Sequence, residues 1–205
     1  ELRAGYGEWS VKLNTVFDIS GKRRFTLKKN IAVAPFLESV PITIDGVLDE
    51  WSGFPSIHLG KNEQLLEERK TNTWRSDDIS AVIKVCADKS NLYIAADITD
   101  DVPEINPYKD GEIWRGDGIE LYVGFNGPRT DNWYGDGDFQ IGLTPGYNEI
   151  QPFCWVWKVG KLNKRFDSAQ IVSKKNNKGY TIEARLPVEE LGITPLQAPM
   201  LLGFD

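Results

Sequence analysis

The side chains able to do chemistry in this chain are mostly carboxylates and aromatics. It holds 30 Asp and Glu, seven Trp and seven Tyr against one His and two Cys. His58 lies in Pro55-Ser56-Ile57-His58-Leu59 with no partner motif, so neither a Ser/His/Asp triad nor a His-rich metal site is supported, and a structural histidine is expected. Cys86 and Cys154 lack CxxC or Cys/His neighbourhoods and are too few for a disulfide framework; two separate buried thiols are expected. Gly135-Asp136-Gly137-Asp138 is acidic and not followed by a helix, which is wrong for a phosphate cradle but suits a hard cation. A glycosidase needs two carboxyl groups facing each other about 5 to 10 Å apart. Nothing in the sequence singles out such a pair, so the chain reads as non-catalytic.

The composition sets the setting for those residues. At 205 residues, with 40% hydrophobic and 26% charged residues, the chain can bury a full core without a cofactor to staple it. Aromatics at 11% are high, and that excess needs an explanation. A net charge of -6 argues against a nucleic-acid partner, because a phosphate backbone is bound by concentrated Lys and Arg. There is no apolar run of about 18 residues, so no membrane span is expected. The chain opens at Glu1 without a basic, apolar signal segment and reads as a processed chain or an excised piece.

The elements that must position the chemistry are strands. Ile79 to Ala87 and Leu92 to Ile98 are β-rich runs joined by the turn-forming Asp88-Lys89-Ser90-Asn91, which makes a hairpin. Further strands are expected at Gly118 to Phe125, Asp138 to Leu143, Ile150 to Lys158, Ala169 to Lys174 and Tyr180 to Leu186. Pro187 to Leu191 reads as a short helix with Pro in its first turn, and residues 62–70 as a surface turn or loop. Many short strands with little helix predict an all-β fold, a two-sheet antiparallel β-sandwich of jelly-roll or immunoglobulin-like type. Residues 1–38 carry short β-like runs with too few core positions to fold alone. They are expected to be a remnant of, or linker from, a preceding β-domain, with the main domain at 39–205.

One series of segments carries a resemblance. Ile44-Asp45-Gly46-Val47-Leu48-Asp49-Glu50-Trp51 resembles the opening of the family 9 carbohydrate-binding modules and their wider relatives. Trp74-Arg75-Ser76-Asp77-Asp78-Ile79-Ser80-Ala81, then Asn91-Leu92-Tyr93-Ile94-Ala95 with Asp100-Asp101, then Ile113-Trp114-Arg115-Gly116-Asp117-Gly118-Ile119-Glu120-Leu121 follow in the family's order. Tyr180 to Pro187 and Leu202 to Asp205 are similar to its late strands. Each string is weak alone; together, in the correct order, they point to the fold first and the ligand second.

The resemblance implies a carbohydrate ligand, neighbouring domains in a larger chain, and a secreted or cell-surface setting. It places Trp114 on a sugar-clamping tryptophan and Glu120 on a hydroxyl-binding glutamate. An aromatic face gives the C–H face of a sugar ring a dry contact, and a carboxylate accepts bonds from neighbouring hydroxyls. Gln140 stands where the best-known sugar binders have an arginine. The chain stops at Asp205, where the family would supply its final strands and second clamp tryptophan, so Trp74, Trp133, Trp155 and Trp157 are the substitutes. Trp133, in a polar loop, is expected to be exposed and to join the carbohydrate site. Trp155 and Trp157 share one strand parity; their size favours core packing, as it does for Trp51. Family members can bind calcium, and Asp100, Asp101, Asp136 and Asp138, with Asp117 nearby, supply hard oxygen ligands for a structural ion. Two other readings of the same fold are a structural or protein-interaction β-domain without sugar binding, and a heme-binding relative for which Met200 and His58 are the available ligands.

Overall fold

The structure is a computed structural model. It describes residues 10–19, 23–32, 34–38, 41–61, 75–102, 106–125, 135, 137–158, 162–193, 195–196 and 203–204, with the backbone alone at 10–19, 23–32 and 203–204. Residues 62–70, Trp74, Trp133, Asp136 and Met200 lie outside the described residues.

Two five-stranded antiparallel sheets form the molecule's main body, as the strand pattern predicts. The first has the order β10 (Gln170–Lys175), β11 (Gly179–Pro187), β5 (Asn91–Asp100), β4 (Ile79–Ala87), β3 (Ser56–Leu59). The second runs β12 (Gly203–Phe204), β6 (Ile119–Gly124), β7 (Asp138–Thr144), β8 (Phe153–Lys158), β9 (Leu162–Arg165). A separate hairpin of β1 (Ser10–Ile19) and β2 (Arg23–Ala32) precedes them. Among the described residues the helical elements are three 3-10 turns: η1 (Asp49–Trp51), η2 (Asp110–Arg115) and η3 (Val188–Leu191). None of these helices is long and apolar enough to cross a membrane.

Alternation decides what each strand buries. Ile83 and Val85 of β4, Leu92, Ile94 and Ala96 of β5, and Ile182 and Ala184 of β11 meet Leu121 and Val123 of β6, Ile141 and Leu143 of β7, and Val156 of β8 in one core between the sheets. The predicted hairpin at Ile79 to Ile98 is β4 and β5 in register, from Ile79 opposite Asp100 to Ala87 opposite Leu92. Its turn is held by Asp88, which accepts from the Ser90 and Asn91 amides at 2.7 and 2.8 Å and from the Tyr93 hydroxyl at 2.8 Å. The strand expected from Ile150 begins instead at Phe153. Pro152 has no amide for the ladder, and Ile150 pairs locally with Tyr147.

The other face of the first sheet is covered by the segment from Ile42 to Phe54. Trp51, wholly buried as expected for a core residue, packs with Ile44, Phe54, Cys86, Tyr93 and Ala95. Glu183, also wholly buried, rises from β11 into this layer. It accepts from the amides of Asp45 and Gly46 at 2.9 and 2.8 Å and from the Trp51 indole at 2.7 Å. The buried carboxylate is thereby paired with three donors from the covering segment, as burial of a charge demands. Cys86 lies in this layer and Cys154 in the core between the sheets, and both thiols are free.

Candidate functional site

The second sheet keeps one face for the core and turns the other outward. Its registers set Glu120 opposite Gly142, Gly142 opposite Trp155, and Trp155 opposite Arg165. In the adjacent row Tyr122 faces Gln140, Gln140 faces Trp157, and Trp157 faces Asn163. Side chains at every second position share a face, so these two rows make one surface across four strands.

Polar groups at the β6–β7 end of that surface converge. Gln140 donates from Nε2 to Glu120 Oε2 at 2.9 Å, and the Tyr122 hydroxyl donates to the same oxygen at 3.2 Å. Both bonds go to Oε2, and Glu120 stands at an exposed strand position, where a carboxyl group has further lone pairs to offer. At the β8–β9 end, Trp155 donates its indole N–H to Asn163 Oδ1 at 2.7 Å. Between the two ends, Trp157 lies over Gly142, where a Cβ would sit 2.7 Å from Cζ3 and Cη2 of the ring and 2.9 Å from Cδ1 of Ile113. Only a residue without a Cβ lets the indole and Ile113 reach the sheet there.

The turn η2 packs on this face against β7, β8 and β9. It buries Ile113 at 3% exposure and turns the next residue, Trp114, outward at 60% exposure. Asn106, wholly buried, donates from Nδ2 to the carbonyls of Ile113 at 2.9 Å and Asp117 at 2.6 Å. The Arg115 guanidinium lies 4.8 Å from the centre of the Tyr108 ring and 3.5 Å from the Glu112 carboxylate. The result is an outward aromatic ring on a turn seated on the same sheet face as an exposed glutamate. Such a surface can stack against an apolar ring face while accepting hydrogen bonds at its edge.

Of the residues expected to bind carbohydrate, the structure joins Glu120 and Gln140 directly and seats the Trp114 turn on their sheet face; Trp133 lies outside the described residues. Trp155 and Trp157 are not in the core between the sheets. Their register with Gly142 and Gln140 places them half-buried on the outer face, beneath η2, which corrects the expectation of core packing. Sequence reading also passed over Tyr122, although it lies two residues from Glu120 and so on the same face, and Gly142, a glycine inside a strand where close approach is the usual reason. Asn106 gave no sequence signal, because its partners are carbonyls.

Of the aspartates expected to hold calcium, Asp100, Asp101 and Asp138 are among the described residues. Asp100 ends β5 in the first sheet and accepts from the Val102 amide at 2.9 Å, and Asp101 beside it is exposed. Asp138 begins β7 in the second sheet and accepts from the Gly135 amide at 2.6 Å; Asp136 lies outside the described residues. Among the described residues no group of three His, Cys, Asp or Glu side chains is placed to hold a metal ion. His58 is exposed on β3, with Nε2 2.9 Å from the Ser56 hydroxyl.

A family model described as carbohydrate family 9 binding domain-like matches residues 44–205. The chain is 29% identical over 187 residues to the exoglucanase XynX of Acetivibrio thermocellus and 28% identical over 187 residues to endo-1,4-beta-xylanase A of Thermoanaerobacterium saccharolyticum. Each alignment covers 87% of this chain but only 14% and 13% of those proteins, so the chain spans a small part of their length. Among solved structures, a carbohydrate binding module family 9 from Caldicellulosiruptor kristjanssonii in complex with glucose matches with a TM-score of 0.55 at 19% identity, covering 84% of this chain and 75% of that one. A module of the same description in complex with cellotriose gives 0.54 at 17%, covering 84% and 74%. At these identities the likeness establishes the two-sheet sandwich.

Proposed function

The chain belongs to the carbohydrate family 9 binding domain-like family, and from that premise we propose that it is a non-catalytic module that binds a carbohydrate on the outer face of its second sheet. The observation that carries this reading is the hydrogen-bonded Glu120–Gln140 pair on the sheet face where η2 holds Trp114 outward. A sugar ring stacks on Trp114, its hydroxyls donate to Glu120, and the carbonyl of Gln140, whose amide is committed to Glu120, accepts beside it. Trp133 supplies a second aromatic contact. Solved modules of like fold are described in complex with glucose and with cellotriose, which makes neutral hexoses and their β-linked oligomers the first ligands to try.

The two curated relatives are named as glycan-degrading enzymes and are much longer than this chain. That supports an accessory role in a larger secreted or cell-surface protein, with the sugar-binding face tethering a catalytic domain to its polymer.

The test is isothermal titration of the whole chain with glucose, cellotriose and xylo-oligosaccharides, with and without added calcium, beside Trp114→Ala and Trp133→Ala. Saturable heat that disappears in Trp114→Ala supports the reading. A folded sample that gives no heat with any of these sugars would favour a structural β-domain instead. The calcium arm reads whether Asp100, Asp101, Asp136 and Asp138 contribute an ion to the fold.

A further inference from the structure

We propose that Asn106 is a positioning residue for the Trp114 platform, holding the turn η2 in the one geometry in which that ring can stack; this rests on the reading of Trp114 as the sugar contact. The turn cannot hold itself. A six-residue 3-10 helix is a poor autonomous unit, and this one starts at Asp110 with φ of 51° and has no side-chain cap on its first turn. Its geometry must come from outside, and two anchors supply it.

The first is Asn106. Its side chain is wholly buried and all of it is used: Nδ2 donates to the Ile113 and Asp117 carbonyls, at 2.9 and 2.6 Å, and Oδ1 accepts from the Tyr108 amide at 3.3 Å. Those two carbonyls flank Trp114, so a single amide group fixes the backbone immediately before the platform and three residues after it. The second anchor is a seat on the sheet. A Cβ at Gly111 would lie 3.2 Å from Nε1 of Trp155, Nε1 of Trp157 and Oδ1 of Asn163 alike. The bond from Trp155 to Asn163 fixes this seat, and Ile113 presses onto Gly142 beside it. Asn106 ties the two sides of the Trp114 segment together while the two indoles carry the turn from the sheet. Stacking gains little if ordering the ring on binding must be offset first, so a pre-set turn raises affinity.

The probe is Asn106→Asp, which keeps the shape but faces two carbonyl oxygens with a carboxylate in place of two N–H donors. Affinity for cellotriose is measured on samples shown to be folded by circular dichroism. Motion of the Trp114 ring is read separately, as the difference in fluorescence anisotropy between each protein and its Trp114→Phe counterpart. Expected are an affinity on the order of tenfold lower and a looser Trp114 ring. A purely structural role would lower the melting temperature and leave both unchanged below it, and that result overturns the proposal. If the parent binds no sugar yet Asn106→Asp loosens Trp114, the positioning role stands and the sugar reading falls. Should Asn106→Asp fail to fold, backbone relaxation in the parent decides: an order parameter at Trp114 of about 0.85 supports the clamp and one below about 0.6 overturns it.

Discussion

Gln140 donates its side-chain amide to Glu120 across the β6–β7 pair at 2.9 Å, so one of the two carboxylate oxygens is engaged before any ligand arrives. The Tyr122 hydroxyl approaches the same oxygen at 3.2 Å, which fixes the carboxylate plane on an exposed strand. Glu120→Gln keeps the shape and removes the charge. Hydrogen bonds to a charged acceptor are worth about 1.5–3 kcal/mol against about 0.5–1.5 for neutral ones. The expected result is a loss of sugar affinity of about tenfold. Stability should stay within about 0.5 kcal/mol, as for surface substitutions generally. Titration and calorimetric melting check both numbers; unchanged affinity would remove Glu120 from the site.

Glu183 governs the opposite sheet face. Glu183→Ala strands the Gly46 amide and the Trp51 indole in a dry layer, each unmade bond costing about 1–3 kcal/mol, and frees the part-buried amide of Asp45. The segment from Ile42 to Phe54 should then detach from β5 and β11, lowering the unfolding free energy by several kcal/mol and the denaturant midpoint with it. Trp51→Phe retains most of the packing and loses one donor, so it should cost less than Glu183→Ala. Urea unfolding followed by tryptophan fluorescence ranks the two, and the reverse order would mean that ring packing outweighs the buried bonds.

Gly142→Ala tests the contact that joins the two ends of the outer face. The new Cβ meets two side chains, the Trp157 ring at 2.7 Å and Cδ1 of Ile113 at 2.9 Å, so both must shift. Overpacking of this kind costs about 1–3 kcal/mol. Because Ile113 precedes Trp114, sugar affinity should fall along with the melting temperature, whereas an alanine at an open surface site would move neither. A variant of native affinity would show that the η2 seat tolerates displacement.

The strands and the fold were readable because period-two alternation and turn chemistry are local. Asp88-Lys89-Ser90-Asn91 announces its hairpin within four residues, and the ordered strings from Ile44 to Leu186 point to one sandwich. Glu120 and Gln140 were readable through the resemblance, but their mutual bond depends on a register that joins positions twenty apart. Trp155 and Trp157 show where local reasoning stops. Parity gave their shared face correctly, yet nothing within β8 says which face the core takes, and residue size favoured the wrong one. Asn106 and Glu183 were invisible for a related reason: Asn106 acts on backbone groups, which leave no mark in the sequence, and Glu183 on two backbone amides and the distant indole of Trp51.

The two thiols give a prediction about alkaline pH. Burial, with the negative charge of Asp88 adding to it, pushes the Cys86 thiol up to about 12, and burial pushes Cys154 well above its ordinary value. Below the unfolded-state value of about 8.5 the thiols are neutral in both states, and the stabilisation from keeping them neutral is fully present. As pH rises above it the unfolded chain ionises while the native one does not, so stability is lost up to about 12 for Cys86. The Tyr93 hydroxyl, pushed up to about 12 by burial and by its bond to Asp88, adds to the loss above pH of about 10. Cys86→Ala should therefore make the decline in melting temperature shallower from pH of about 8.5 up to about 12, leaving the parts due to Cys154 and Tyr93. It should cost about 1–2 kcal/mol at neutral pH for the small cavity. In the native protein at pH 8 neither thiol should react with a chromogenic disulfide reagent, while both should react in denaturant. Reaction of one thiol before unfolding would show that its layer opens locally, and the alkaline decline would then need another cause.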